Sequence, residues 1–317
     1  MAETTVCNNY KMKKLITIVI AVLLLSSCRS IATKDHSSEY GPAPLLTFVF
    51  DDGNGTDYLI AMEIFKKHGA KASFAVVTDW INTKNYMTVS QLKELQDNGF
   101  EIMSHTVSHS NLKRLTDDQI ESELSVSKAT NEGWGLMVNN LVYPNNKNSV
   151  RVRELVSKYY RSARGGRSAL NPAVLDRYEL KSYSISNNVD KMKALIDRAG
   201  AERKWLILYL HNIFVKVKVS QGDGVFQPGE TLLFSPSGAK GRYGKGLFNW
   251  CYFVPLSETA QAGDTIVGLS SGAACHLDEI LYNKSEVLTK LIGYTRSSHL
   301  DMRIVTIDEG LDIYKVK

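Results

Sequence analysis

The chain has 317 residues, a formal net charge of +5, 44% hydrophobic and 22% charged residues, which is the composition of a soluble globular protein with chain enough for a large core. Setting aside residues 1–27, whose charges are Lys11, Lys13, Lys14 and Glu3, lowers the net charge to about +3. That balance is mild and no dense basic stripe occurs elsewhere, so nucleic acid is excluded as a partner.

In chain order, Lys11, Lys13 and Lys14 precede an apolar run from Leu15 to Leu25 and then Ser26-Ser27-Cys28. A basic segment, a short apolar segment and small residues are the layout of a secretory signal peptide, with Met12 as a further start. The run is too short to span a bilayer as a stop-transfer helix. Leu25-Ser26-Ser27-Cys28 resembles a bacterial lipoprotein signal. That resemblance implies lipidation of Cys28 and an exported protein anchored to a membrane of the bacterial cell envelope; an ordinary cleaved signal or a plain anchor fits the same layout. The polar, proline-containing stretch from Ile31 to Pro44 reads as a tether. The expected organisation is a signal peptide at 1–27, a tether at 28–43 and a folded domain at 44–317.

From Leu45 the pattern alternates. Leu45 to Phe50 is a continuous apolar run, read as a strand buried on both faces, and it ends in Asp51-Asp52-Gly53. Side chains alternate along a strand, so the two acids leave it in different directions and can hold different roles. Thr56 or Asp57 can cap a helix closed by Gly69, and Ala72 to Val77 is a second strand. A helix starting at Ser90 and ending at Gly99 leads to a third strand, Phe100 to Met103. Thr116 and Gln119 form a capping box for the next helix. A strand at Asn139 to Tyr143, a helix at Ser149 to Tyr160 and weaker strands near Tyr160 to Ala163 and Leu180 to Ile185 follow. A helix from Asp190 to Ala199 then leads into a strong strand, Trp205 to Leu210. Such alternation predicts parallel strands with helices outside, closing into a barrel.

The pattern breaks at Val215. From about 215 to 275 the chain is rich in glycine, with hairpin-like strands at Thr231 to Phe234, Phe248 to Val254 and Asp264 to Leu269, read as a β-rich insertion. Helix and strand resume with Ser285 capping a helix through Tyr294 and a last strand at Arg303 to Ile307. Phe248, Trp250 and Tyr252 share one face of a strand, which suits either the core of a small β-subdomain or a platform for sugar rings. Cys251 and Cys275 can pair or remain separate buried thiols.

His105 and His109 follow the third strand directly, and their spacing suits two imidazoles on one metal ion on a helical turn. Leu206 to Leu210 ends in His211. Three apolar strands each terminating in Asp or His are hard to explain as packing, and in a parallel α/β barrel those strand ends share the face where sites are built.

In these motifs the sequence resembles the NodB-type polysaccharide deacetylases, carbohydrate esterase family 4. Phe50-Asp51-Asp52-Gly53 matches their Asp-Asp-Gly strand end, His105 to His109 their His-Ser/Thr-x-x-His motif, and Leu208-Tyr209-Leu210-His211 their late Leu-x-Leu-His. The resemblance implies a deformed (β/α) barrel carrying the β-rich insertion. It further implies a divalent metal, Zn2+ with Co2+, Mn2+ or Ni2+ as alternatives, held by Asp52, His105 and His109. Asp51 would be the general base, His211 the general acid, and the Asn145 backbone N–H an oxyanion donor. The family's Arg-x-Pro-x-Gly corresponds to Val142-Tyr143-Pro144-Asn145-Asn146. Val142 replaces the arginine that pairs with the base, Asn146 replaces the glycine, and Arg164 is a candidate substitute for the arginine. The fourth family motif, with its Asp and Trp, is not placed in this sequence, which leaves the partner that orients His211 unidentified. Tyr143, Pro144, Arg164 and Trp250 are candidate substrate-binding residues. The implied function is removal of acetyl groups from an N-acetylated glycan such as peptidoglycan or a chitin-like polymer; O-acetyl esterase action on xylan and a catalytically silent glycan-binding lipoprotein are the alternatives.

Overall fold

Leu45–Phe50 (β1) is buried along its whole length, as a continuous apolar run requires, and the parallel sheet is assembled on it. The computed structural model describes residues 42–316 apart from 248 and 258. The expected signal peptide, Cys28 and nearly all of the tether lie outside the described residues, as does Phe248. No helix among the described residues is long and apolar enough to cross a membrane.

After β1 come β2 (Ser73–Val76), β3 (Glu101–Ser104), β4 (Asn140–Val142), β5 (Ser162–Arg164), β6 (Tyr183–Ser184) and β7 (Trp205–Leu210). The intervening helices are α1 (Met62–Lys67), α2 (Val89–Asp97), α3 (Asp117–Gly133), α4 (Val150–Val156) and α5 (Val189–Ala201). After a β-rich insertion the chain returns through α6 (Lys284–Ser298), a last sheet strand (Arg303–Ile304) and α7 (Ile307–Ile313). The sheet order is β5-β4-β3-β2-β1-β7-β6, with Arg303–Ile304 also pairing with β1, and every pairing in it is parallel. The (β/α) barrel is thus a half-barrel, its sheet left open between β5 and β6, where a single parallel bridge links Arg164 to Leu180.

Two apolar layers hold it. The outer one packs Phe48, Phe50 and Phe74 of the strands against Phe65, Phe100 and the helices. Phe50 stacks on Phe74 at 4.8 Å and meets Phe65 edge-on at 5.9 Å. Each such buried ring contributes roughly 1.5–3 kcal/mol from area removal alone. The inner face carries Leu45, Val49, Ala75, Met103, Val142 and Ile207, closed by Ile307 and Leu311 of α7.

Several local expectations are corrected. Thr56 does not cap α1; its hydroxyl accepts from the Ile213 N–H at 3.2 Å, and α1 is entered through a π-helical turn, Asp57–Ala61. The cap of α2 is Thr88, in a full capping box with Gln91, rather than Ser90. The box of Thr116 and Gln119 on α3 is present as expected. The cap of α6 is Asn283, which accepts from Glu286 N–H at 3.1 Å, while Ser285 hydrogen-bonds to the Asn283 side chain. The helix α7 was not anticipated.

The insertion contains β8 (Val215–Asp223), β9 (Thr231–Ser235), β10 (Lys240–Leu247), β11 (Trp250–Pro255), β12 (Thr265–Gly268) and β13 (Ala274–Asn283). Accordingly Arg303–Ile304 is β14. The insertion closes into an antiparallel barrel of order β10-β11-β8-β13-β12-β9 and ends at Asn283 rather than near Cys275. Closure removes the unpaired edges that a free sheet would expose. Val217, Leu232, Phe234, Phe253, Ile266 and Leu277 fill its core, together with Cys251 and Cys275, which are free and unbridged. Gly241 is needed for this packing, since a Cβ there would lie 2.6 Å from the Phe253 ring.

Candidate active site

Strand register brings the site together. Phe50 of β1 is the partner of Leu210 of β7, so Asp51 and His211 leave adjacent strands side by side, and Asp51 N–H donates to the Leu210 carbonyl at 3.0 Å. On the other side Val76 pairs with Ser104, so His105 emerges one strand beyond β2. All of these residues sit at C-terminal strand ends of a parallel sheet, the face on which such folds build sites.

Asp52 turns into the left-handed region with φ 79°, as does Gly53 with φ 78°. This twist swings the Asp52 carboxylate out of the strand line toward the two histidines. A Cβ on Gly53 would meet Ile81 at 3.1 Å and Val76 at 3.3 Å, so glycine is required there on both conformational and steric grounds. His105 and His109 are not on a helical turn. Their segment is an irregular loop in which Thr106 (φ 69°) and His109 (φ 62°) are left-handed, pinned by Glu123 of α3. The Glu123 carboxylate accepts from Val107 N–H at 2.9 Å and Ser108 N–H at 3.0 Å.

His105 is 2% exposed, and its Nδ1 is 2.8 Å from the Val142 carbonyl. That contact makes Nδ1 the protonated nitrogen and leaves Nε2 with a free lone pair facing Asp52. His105 Nε2 is 3.5 Å and His109 Nε2 3.7 Å from Asp52 Oδ1. One ligand atom from each of Asp52, His105 and His109 lies within 4.8 Å of the others. Asp52 Oδ1 is buried with no hydrogen-bond partner. An orphaned carboxylate oxygen between two imidazole nitrogens is costly without a cation, so this donor set fits a divalent metal ion. Burial works to raise the Asp52 carboxyl, but the imidazoles of His105, His211 and His109 outweigh it and hold the group below its ordinary value. Burial, reinforced by His105, lowers His109, which favours the neutral ring that a metal requires. Trp80, a residue that no sequence motif picked out, packs its ring 5.3 Å from that of His109.

Asp51 lies on the other side of Asp52, 3% exposed. Both of its oxygens accept from Arg164 Nη2, at 2.5 and 2.6 Å. Arg164 is fully buried, its guanidinium 4.6 Å from the centre of the Tyr209 ring, and its Nη1 donates to Asn146 Oδ1 at 2.7 Å. The Asn146 amide in turn donates to the Tyr209 hydroxyl at 3.2 Å. His211 is the open member, its side chain 46% exposed and its Nε2 3.7 Å from Asp51 Oδ2. The Lys284 ammonium donates to the His211 carbonyl. Below them Asp57 is wholly buried, and burial pushes its carboxyl up to about 8, while burial lowers Lys284 to about 8.

Of the residues expected at the site, Asp51, Asp52, His105, His109 and His211 converge. Asn145 is exposed on a short turn, Pro144–Asn146, at φ 57°, next in the chain to the Asn146 that braces Arg164. Tyr143, Pro144 and Arg164 are corrected as substrate contacts. Tyr143 is fully buried with its hydroxyl donating to the Tyr178 carbonyl at 3.0 Å, Pro144 is buried, and Arg164 lies beneath Asp51. Trp250 is half-buried on the outer face of the insertion barrel, and neither it nor Tyr252 belongs to that barrel's core.

A parallel half-barrel with an Asp/His/His cluster and an arginine-clamped aspartate at its strand ends is the arrangement on which part of the chain is similar to the polysaccharide deacetylases. Residues 39–161 match that family's model, Polysaccharide deacetylase. The Bacillus subtilis (strain 168) protein YxkH, named for the same family, is 39% identical over 79 residues, 25% of this chain and 28% of that relative's length. Among solved structures, the Xyl-CE4 domain of a multidomain xylanase from the hindgut metagenome of Trinervitermes trinervoides shares the fold at 15% identity, with a TM-score of 0.50 over 87% of this chain and 93% of that one. The Streptococcus pyogenes deacetylase PplD, solved in complex with acetate, is similar at 23% identity and a TM-score of 0.45 over 47% of this chain and 68% of its own.

Proposed function

We propose that this protein is a metal-dependent deacetylase that hydrolyses the acetamide of an N-acetylated glycan, with Zn2+ at Asp52, His105 and His109. The observation that carries the reading is the convergence, at neighbouring strand ends, of an orphaned Asp52 oxygen between two imidazoles with a second, arginine-clamped aspartate. A divalent ion bound there supplies a Lewis acid that acidifies water and polarises the acetyl carbonyl. Asp51 removes the proton from the attacking water, and Arg164 fixes its orientation by holding both oxygens. The Asn145 N–H donates to the oxyanion as it forms. His211, open to the substrate side, protonates the departing sugar amine, which is otherwise a very poor leaving group.

The departures from the third family motif fit this reading rather than a silent binding protein, because Arg164 and Asn146 together supply a clamp for Asp51. In the cell we place the protein on a membrane of the envelope through lipid on Cys28, with the domain facing an acetylated polysaccharide. The test is acetate release from a chitin oligomer, peptidoglycan and acetylated xylan, with and without chelator. Chelator-sensitive release from the amide substrates is expected. Release from xylan alone would make the protein an O-acetyl esterase, and none from any substrate would remove the reading.

A further inference from the structure

The insertion barrel joins the site through an unbroken run of rings and ammonium groups. Lys284, which donates to the His211 carbonyl, has its Nζ 4.5 Å from the centre of the Phe214 ring. Phe214 meets Tyr252 edge-on at 4.7 Å, and Tyr252 meets Trp250 at 4.9 Å. Lys216 Nζ lies 4.7 Å from the Trp250 ring centre and 5.5 Å from that of Tyr252, and Lys245 Nζ lies 5.9 Å from Tyr252. The barrel register sets this out: Tyr252, Lys216 and Tyr282 stand abreast on β11, β8 and β13. Trp250, Lys218 and Glu279 form the next row, and there the lysine has an acid beside it.

Lys216 has no such acid. Among the described residues the lysine ion pairs involve Lys128, Lys158, Lys181, Lys204 and Lys290, and neither Lys216 nor Lys245. Lys284 lies near the buried Asp57, and burial lowers its own value to about 8, so it is set apart from these two lysines. Half-exposed rings offer faces on which pyranose rings stack, and ammonium groups without carboxylates call for an anion. We propose that this face is a subsite for acidic, uronate-bearing stretches of the acetylated polysaccharide, binding the chain whose acetyl group reaches the metal site. The proposal rests on the deacetylase reading above and adds the charge of the substrate to it.

The test is affinity electrophoresis of the full chain through gels containing acetylated polygalacturonate or neutral glycol chitin, a readout that needs no turnover. Wild type should be retarded by the acidic polymer well beyond the neutral one. Lys216→Gln combined with Lys245→Gln should weaken that retardation by about fivefold, as expected for one part-buried and one exposed charge contact. Trp250→Ala should weaken it as well. A charge-matched control, Lys66→Gln with Lys67→Gln at exposed positions of α1, should leave it unchanged. Equal loss in the control, or equal retardation by both polymers, would overturn the subsite. Binding without acetate release from any substrate would overturn the deacetylase reading and leave the subsite standing.

Discussion

Val142 and Arg164 are register partners on β4 and β5; the family resemblance would put an arginine at the first of these positions, and this chain carries one at the second. Partners on adjacent parallel strands point to the same face of the sheet. Arg164 therefore approaches Asp51 from one strand farther away, and Asn146 braces its guanidinium. Arg164→Val should lower kcat by at least about 100-fold and reduce stability by roughly 3–5 kcal/mol, the cost of leaving a buried carboxylate unpaired. Adding Val142→Arg should recover part of both. Kinetics and thermal melts of the single and double variants check this, and no recovery in the double would remove the positional equivalence.

Asp51 and Asp52 are neighbours with separate tasks. Asp51→Asn should abolish turnover while metal content stays at the wild-type level. His105→Ala and His109→Ala should each lose the metal. Metal analysis of purified protein decides it, and full metal occupancy in all three would sink the ligand assignment.

His211 is exposed enough to reach a leaving group and is not among the proposed ligands. His211→Ala should cost about 100-fold or more on an acetamide substrate. On an activated ester, whose leaving group needs no proton, the loss should be small. Equal losses on both would assign His211 to support of the site instead.

Glu101, at the start of β3, gives a pH signature remote from the chemistry. Its carboxylate accepts from Ser73 Oγ at 2.7 Å, Asn140 Nδ2 at 2.7 Å, and the Ile307 and Asp308 N–H groups of α7 at 2.8 and 3.2 Å. Burial still pushes its carboxyl up, from 4.5 to about 7. The folded state then holds this proton more tightly than the unfolded chain, so the contribution is fully present below pH 4.5 and is lost as pH rises through about 7. Melting temperature should fall across that window, and Glu101→Gln should flatten the fall. An unchanged slope in the variant would show that other groups set it.

Cys28→Ala should release the protein from membranes, because several acyl chains hold a protein firmly where none does. Metabolic labelling with a fatty acid that marks neither the wild type nor the variant would refute the anchor.

Much of this was legible in the residues. The run from Leu45 to Phe50, the strand from Trp205 to Leu210 and the box of Thr116 and Gln119 form where local pattern places them, because each is specified by neighbours in sequence. The insertion was legible in part. The strands expected near Thr231, Phe248 and Asp264 are present as β9, β11 and β12, whereas β8 was missed and β10 contains Gly241, Gly244 and Gly246 and has little propensity of its own. It is a strand because barrel closure pairs it on both sides.

The sequence by itself pointed to Asp51, Asp52, His105, His109 and His211, since Asp51, His105 and His211 each follow a strand directly, Asp52 is next to the first and His109 is four residues after the second. Only the tertiary structure decided what holds Asp51, which way the histidines face and where Trp250 stands. Those depend on strand order and register, on left-handed turns at Asp52, Thr106 and His109, and on contacts such as Arg164 to Asp51 that cross 113 residues of chain. Local propensity cannot encode such a pairing, because the free energy that selects it exists only once both strands are packed into one sheet.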